Sequence, residues 1–127
     1  MKFWKIFDER PISQRGEDLA ARALKKAGYK VLARNYRNRL GEIDIVAKER
    51  DVIVFVEVKT RTGKRFGLAK EAVNYKKQKK LIRLAQAYLK QHRLFGKKAR
   101  FDVVAIQLDD NEIEIIKDAF SIPVKWA

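Results

Sequence analysis

The run Val52-Ile53-Val54-Phe55-Val56-Glu57-Val58-Lys59-Thr60 constrains the fold more than any other stretch of the chain. Its β-branched and aromatic residues favour extended backbone, and its length suits one strand. Successive side chains of a strand point to opposite faces, so Val54, Val56 and Val58 point one way and Phe55, Glu57 and Lys59 the other. Opposite charges two residues apart in an otherwise apolar strand need a reason. Unpaired charge in a core is costly, so Glu57 and Lys59 must pair with each other, reach solvent or bind an ion.

The preceding residues narrow the choice. Gly41 opens a second strand over Glu42 to Ala47, and Lys48-Glu49-Arg50-Asp51 reads as the turn of an antiparallel hairpin. That hairpin sets Ala47 opposite Val52, Ile45 opposite Val54 and Ile43 opposite Val56, with the aliphatics on one face. It also sets Asp44 opposite Phe55 and Glu42 opposite Glu57, so that Glu42, Asp44, Glu57 and Lys59 share the other face. A one-residue slip would destroy the aliphatic match. Crowded carboxylates repel and raise each other's pKa. A hard divalent cation, Mg²⁺ or Mn²⁺, relieves the conflict, because it takes a few carboxylate oxygens and keeps waters for a phosphate-bearing substrate. The competing reading is an exposed ladder of salt bridges on a half-solvated sheet. The flanking valines weigh against it.

Around this hairpin the pattern is mixed. Ser13 to Ala27 reads as a helix capped by Ser13 and stopped by Gly28, with Ala20, Ala23, Leu24 and Ala27 as its apolar stripe. Glu17 projects from the inward half of that helix, where it can complete a ligand set. Tyr29 to Asn35 reads as a strand, and Arg34 to Arg39 as a polar connection. After the basic loop Arg61 to Gly67 a long helix is expected over Ala69 to Phe95, its apolar positions Leu81, Leu84, Ala85, Tyr88 and Leu89 keeping helical spacing. Strands follow at Arg100 to Leu108 and Glu112 to Ile116, joined by a turn at Asp109, Asp110 and Asn111. The expected class is α/β, a mixed β-sheet flanked by helices in the order αβββαββ. One domain is expected over residues 1–127, with 1–13 a lead-in carrying Phe3, Trp4 and Phe7, and 14–120 the core. The lead-in aromatics offer a contact for a homodimer.

Charge points to a partner. Lys and Arg outnumber Asp and Glu by 30 to 16, a net charge of +14 on 127 residues. Such a field attracts polyanions and releases counterions on contact, so nucleic acid is the expected partner. Phosphate contacts are expected from Arg61, Lys64 and Arg65 in the loop and from Lys76, Lys77, Lys79 and Lys80 on the long helix. Gln78 is a supporting candidate. Nothing resembles a base-reading helix, which favours recognition of shape or backbone. The lack of cysteine excludes disulfides, zinc thiolates and thiol catalysis. No apolar run suits a signal peptide or a membrane span, so a cytoplasmic location without membrane contact is expected. His92 is expected in a packing or surface role, and Asp102 in holding backbone or a basic neighbour.

Asp44, followed by Glu57-Val58-Lys59 in the next strand, resembles the PD-(D/E)xK nuclease signature, with Ile43 in place of the proline. The element order is similar to the αβββαβ core of the restriction-endonuclease-like fold. More narrowly, Arg15-Gly16-Glu17, Gly41-Glu42-Ile43-Asp44-Ile45-Val46-Ala47, Phe55-Val56-Glu57-Val58-Lys59-Thr60-Arg61, Lys77-Gln78, Arg100-Phe101-Asp102-Val103-Val104 and Ala119-Phe120 resemble the YraN-like family of uncharacterised bacterial proteins. That family is similar to archaeal Holliday-junction resolvases. The resemblance implies metal-dependent cleavage of phosphodiester bonds in DNA by an endonuclease or structure-selective resolvase. Asp44 and Glu57 would be metal ligands, Lys59 the catalytic lysine, and Glu17 the acidic residue of the first helix. The alternatives are a non-catalytic nucleic-acid-binding module or a DNA-processing adaptor on a nuclease scaffold.

Overall fold

A computed structural model describes residues 11–61 and 74–120. The elements are α1 (Ile12–Lys26), β1 (Lys30–Asn38), β2 (Gly41–Glu49), β3 (Val52–Arg61), α2 (Tyr75–Gln91), β4 (Lys98–Gln107) and β5 (Glu112–Ile116). The strands form one five-stranded sheet in chain order, β1-β2-β3-β4-β5. β3 and β4 run parallel, joined by the crossover that contains α2, and the other neighbours are antiparallel. This is the mixed α/β sheet expected from the sequence.

The alternation of β3 divides the core in two. Val54 and Val56 pack with Ala20 and Leu24 of α1, and with Ile45, Val104 and Ile106. Phe55 points to the other face, among Leu81, Leu84, Tyr88 and Phe101. The Tyr88 ring meets the Phe55 ring edge-on at 5.8 Å. Each fully buried Leu, Val or Phe contributes roughly 1.5–3 kcal/mol, so the two helices are held to the sheet by their apolar stripes. Among the described residues no helix is long and apolar enough to cross a membrane.

Several boundaries depart from the sequence reading. α1 begins at Ile12 with Pro11 in the capping position and no side-chain cap, so Ser13 lies inside the helix instead of capping it. Proline there needs no hydrogen-bonded N–H, which lets the helix start one residue early. α2 ends at Gln91, short of Phe95. Arg93 takes the left-handed conformation (φ 55°) and the Leu94 N–H returns to the Leu89 carbonyl at 2.8 Å, which closes the last turn. β1 absorbs Arg34 to Asn38, expected as a connection. An edge strand tolerates such charges because its outer rim faces water. The expected start of the second helix (69–73), residues 1–10 of the lead-in, and Lys64 and Arg65 fall outside the described residues.

The hairpin register is the main correction. Glu49 pairs with Val52, Ala47 with Val54 and Ile45 with Val56, two residues away from the expected pairing. The turn is only Arg50-Asp51, with Arg50 at φ 54°. A two-residue shift preserves which face each side chain occupies, so aliphatic matching does not distinguish the two registers.

Candidate metal centre

The β2–β3 ladder stops at Ile45–Val56, although both strands continue. Past that point Asp44 takes over from the backbone: its Oδ2 accepts the Val58 N–H at 2.8 Å. The regular alternation of β2 breaks here too. Ile45 and Ala47 pack on the α1 side, yet Ile43 packs on the α2 side. The expected arrangement, with Glu42, Asp44, Glu57 and Lys59 along one face, is therefore replaced by a site at the open end of the hairpin. Groups from both sides of the sheet converge there.

Three carboxylates meet in that opening. Glu17 from α1 and Glu42 and Asp44 from β2 each offer an oxygen, and these oxygens lie within 4.8 Å of one another. Gly16 allows α1 to come this close: a Cβ on it would sit 2.2 Å from Thr60 Oγ1. Asn35 of β1 joins them, although nothing in the sequence marked it. It holds φ 54°, a left-handed conformation that asparagine tolerates better than most residues. With its nitrogen turned to the carboxylates, the amide donates to Glu17 Oε1 at 2.6 Å and to Glu42 Oε1 at 2.9 Å. Arg37 pairs with the other oxygen of Glu42 at 2.5 Å.

Glu57 stands apart from this trio in its contacts. Its Oε1 receives Lys77 Nζ at 2.5 Å and lies 3.5 Å from Lys59 Nζ. Lys77 comes from the first turn of α2, where Asn74 Oδ1 caps the Lys77 N–H at 2.9 Å. The lysine was expected to contact phosphate from an outer face, and its ammonium instead turns inward to Glu57. Asp44, Lys59, Thr60, Arg61, Glu17, Val58 and Ile12 line a cavity of about 310 Å³.

The charges disturb one another. Burial pushes the Asp44 carboxyl up to about 7, with Glu57, Glu17 and Glu42 adding repulsion against the lowering hydrogen bond from Val58. Glu17 is raised by burial and then by Glu42. Burial, and then the neighbouring Lys77, hold Lys59 below the ordinary lysine value. Burial works against the charge on Lys77 as well, but its contact with Glu57 outweighs this and raises it.

Beside the carboxylates lies a second cavity of about 340 Å³, lined by Glu42, Asn74, Lys76, Lys77, Lys80, Leu81 and Leu84. The Lys80 stem runs over Gly41, whose backbone (φ 144°) would strain any side chain, and an added Cβ would stand 2.9 Å from Lys80 Cε. Lys79 is turned elsewhere, its Nζ 4.7 Å from the Tyr75 ring centre. Gln78 sits in the first turn of α2, its backbone N–H bonded to the Asn74 carbonyl. In the middle of β4, opposite Val56, Asp102 accepts from Tyr29 Oη, from Arg100 and from the Asp118 N–H, as expected for a holding role. His92 closes α2 and lies 4.2 Å from the Tyr88 ring.

Fold and site together define an α/β domain with a carboxylate–lysine cluster at the open end of a sheet hairpin and a lysine-lined cleft beside it. The chain belongs to UPF0102, described as an uncharacterised protein family, whose profile matches residues 16–106. A UPF0102 protein of Syntrophus aciditrophicus is 49% identical over 109 residues, covering 84% of this chain and 86% of the relative. One from Moorella thermoacetica is 50% identical over 111 residues, covering 84% and 92%. Among solved structures, Pyrococcus furiosus SfsA in complex with Ca²⁺ is similar with a TM-score of 0.33 and 15% identity. That match spans 85% of this chain and 62% of the SfsA chain.

Proposed function

We propose that this protein is a divalent-metal-dependent phosphodiesterase that cuts DNA, as an endonuclease or structure-selective resolvase. The observation that carries the reading is the convergence of Glu17, Glu42 and Asp44 within 4.8 Å beside Lys59. Burying a carboxylate, and then setting like charges beside it, costs folding free energy, and Asp44, raised to about 7, marks how incompletely that cost is compensated. Strongly perturbed groups clustered in a cavity are characteristic of functional sites.

The donors are all carboxylate oxygens, which fits Mg²⁺ or Mn²⁺. Asp44, Glu17 and Glu42 would hold the ion with Glu57 as a further ligand, and it would supply a polarised phosphoryl oxygen and a more acidic water. Lys59 Nζ orients the attacking water and, as the ammonium, offsets charge developing on the phosphoryl oxygens. Its lowered pKa eases the movement of a proton at that nitrogen. Lys76 and Lys80 hold phosphates next to the scissile one through backbone charge, not base identity.

The test is incubation of pure protein with linear, flapped and four-way DNA, with Mn²⁺ and with chelator. Cleavage by wild type that requires the metal and disappears in Asp44→Ala and Lys59→Ala supports the reading. Identical behaviour of all three proteins on every substrate rejects it. One feature favours a non-catalytic binding module instead: two ammonium groups already neutralise Glu57. DNA binding that survives Asp44→Ala, with no metal-dependent cleavage by wild type, supports that module.

A further inference from the structure

Lys77 belongs to two places at once. Its ammonium lies 2.5 Å from Glu57 Oε1, and its side chain also lines the basic cleft that holds Lys76 and Lys80. Glu57 is 10% exposed in its side chain and Lys77 38%, so Lys77 is the outer partner and can swing toward water while Glu57 cannot. The base of Lys77 is fixed, since Asn74 caps its N–H, so movement is confined to the flexible four-carbon stem. Lys59 stays 3.5 Å from the same Glu57 oxygen. Lys59 and Lys77 share this carboxylate oxygen, and the more exposed of the two, the one that can leave, is Lys77.

We propose that Lys77 is an exchangeable counter-ion of the site: it neutralises Glu57 until a divalent cation replaces it, and its freed ammonium then binds a phosphate of the nucleic acid in the neighbouring cleft. Cation uptake and phosphate binding are thereby coupled through one side chain. The coupling makes affinity for DNA rise when the cation is present, beyond what simple charge screening gives. Lys77 acts here as a positioning and phosphate-binding residue. The inference rests on the metal-dependent reading of the site.

The experiment measures Mn²⁺ binding by calorimetry and binding of a short duplex DNA in Ca²⁺ and in chelator. Wild type is compared with Lys77→Met, Lys77→Gln and Lys77→Arg, and with Lys76→Met as a control for the general field. Two neutral variants ensure that a folding defect in one does not decide the outcome. Expected for Lys77→Met and Lys77→Gln is Mn²⁺ binding tighter on the order of tenfold, because the competitor is gone. Lys76→Met, whose side chain lines the cleft, shifts it far less, and Lys77→Arg stays near wild type. The neutral Lys77 variants should also lose most of the Ca²⁺-dependent gain in DNA affinity while keeping the affinity measured in chelator. A neutral variant that binds Mn²⁺ no more tightly than wild type, or loses DNA affinity equally with and without Ca²⁺, overturns the exchange. Wild type that takes up no Mn²⁺ at all overturns the metal-dependent reading itself, which separates the two failures.

Discussion

Asp44→Asn isolates the cost of holding a charged carboxylate buried beside other carboxylates. The amide oxygen of asparagine can still accept the Val58 N–H, now 2.8 Å from Asp44 Oδ2, so the hairpin keeps its hydrogen bond and loses only the charge. Asp44 is raised from 3.8 to about 7. At about 1.4 kcal/mol per pKa unit this sets a ceiling of about 4 kcal/mol, and partial solvent access with charge shared across the cluster brings it to roughly 1–3 kcal/mol. The folded protein holds a proton on Asp44 that the unfolded chain releases between about pH 4 and pH 7. Its contribution is thus intact below about pH 4 and falls as pH rises to about 7, where it levels off. Thermal unfolding in chelator should show Asp44→Asn more stable than wild type at about pH 8, by roughly 4–12 °C for a chain of this size. The gap should narrow toward about pH 5, where wild-type Asp44 is protonated. Added Mn²⁺ should reverse the order at the higher pH, because only wild type keeps the full ligand set. An Asp44→Asn protein less stable than wild type in chelator at high pH, or a gap unchanged by pH, refutes the reasoning.

Three other outcomes follow from the geometry. Arg100→Met removes the partner 2.8 Å from Asp102 Oδ1, and Asp102 is 1% exposed, so denaturant unfolding should show a loss of about 3–5 kcal/mol, partly recovered by adding Asp102→Asn. Gly16→Ala drives a Cβ to 2.2 Å from Thr60 Oγ1, which should cost roughly 1–3 kcal/mol and weaken Mn²⁺ binding, with Thr60→Ala restoring most of both. Replacing Lys76 and Lys80 together by methionine should flatten the dependence of DNA affinity on salt by roughly two units in the log–log slope, measured by fluorescence anisotropy.

The composition of β3 made that strand legible in sequence, because β-branched alternation has one reading over nine residues, whereas the pairing of Glu57 with Lys59 was one of three options the pattern left open. Face alternation was equally legible for β3, and it placed Phe55 and Val56 on opposite cores as observed. Register was not, since Ile43, Ile45 and Ala47 match Val52, Val54 and Val56 as well in one pairing as in another two residues away. The turn decides between them, and the charged residues Lys48 and Glu49 resemble turn residues although they pair in the sheet. The break in alternation at Asp44 leaves no mark in the pattern, because Ile43 is apolar and buried on either face. Asn35 was missed for a related reason: its role comes from one left-handed backbone angle on an edge strand. Lys77 sits in a run of lysines that reads as a solvated helix face, and only packing reveals that one of them turns inward.

The central claim is that the Asp44 cluster is a metal centre. The most direct measurement is anomalous diffraction from crystals of wild type and Asp44→Asn soaked in Mn²⁺. The account predicts a peak bound by Asp44 together with Glu17 and Glu42 in wild type, and its loss in Asp44→Asn. Saturating Mn²⁺ that leaves these carboxylates without a peak, or a peak that persists unchanged in Asp44→Asn, would contradict it.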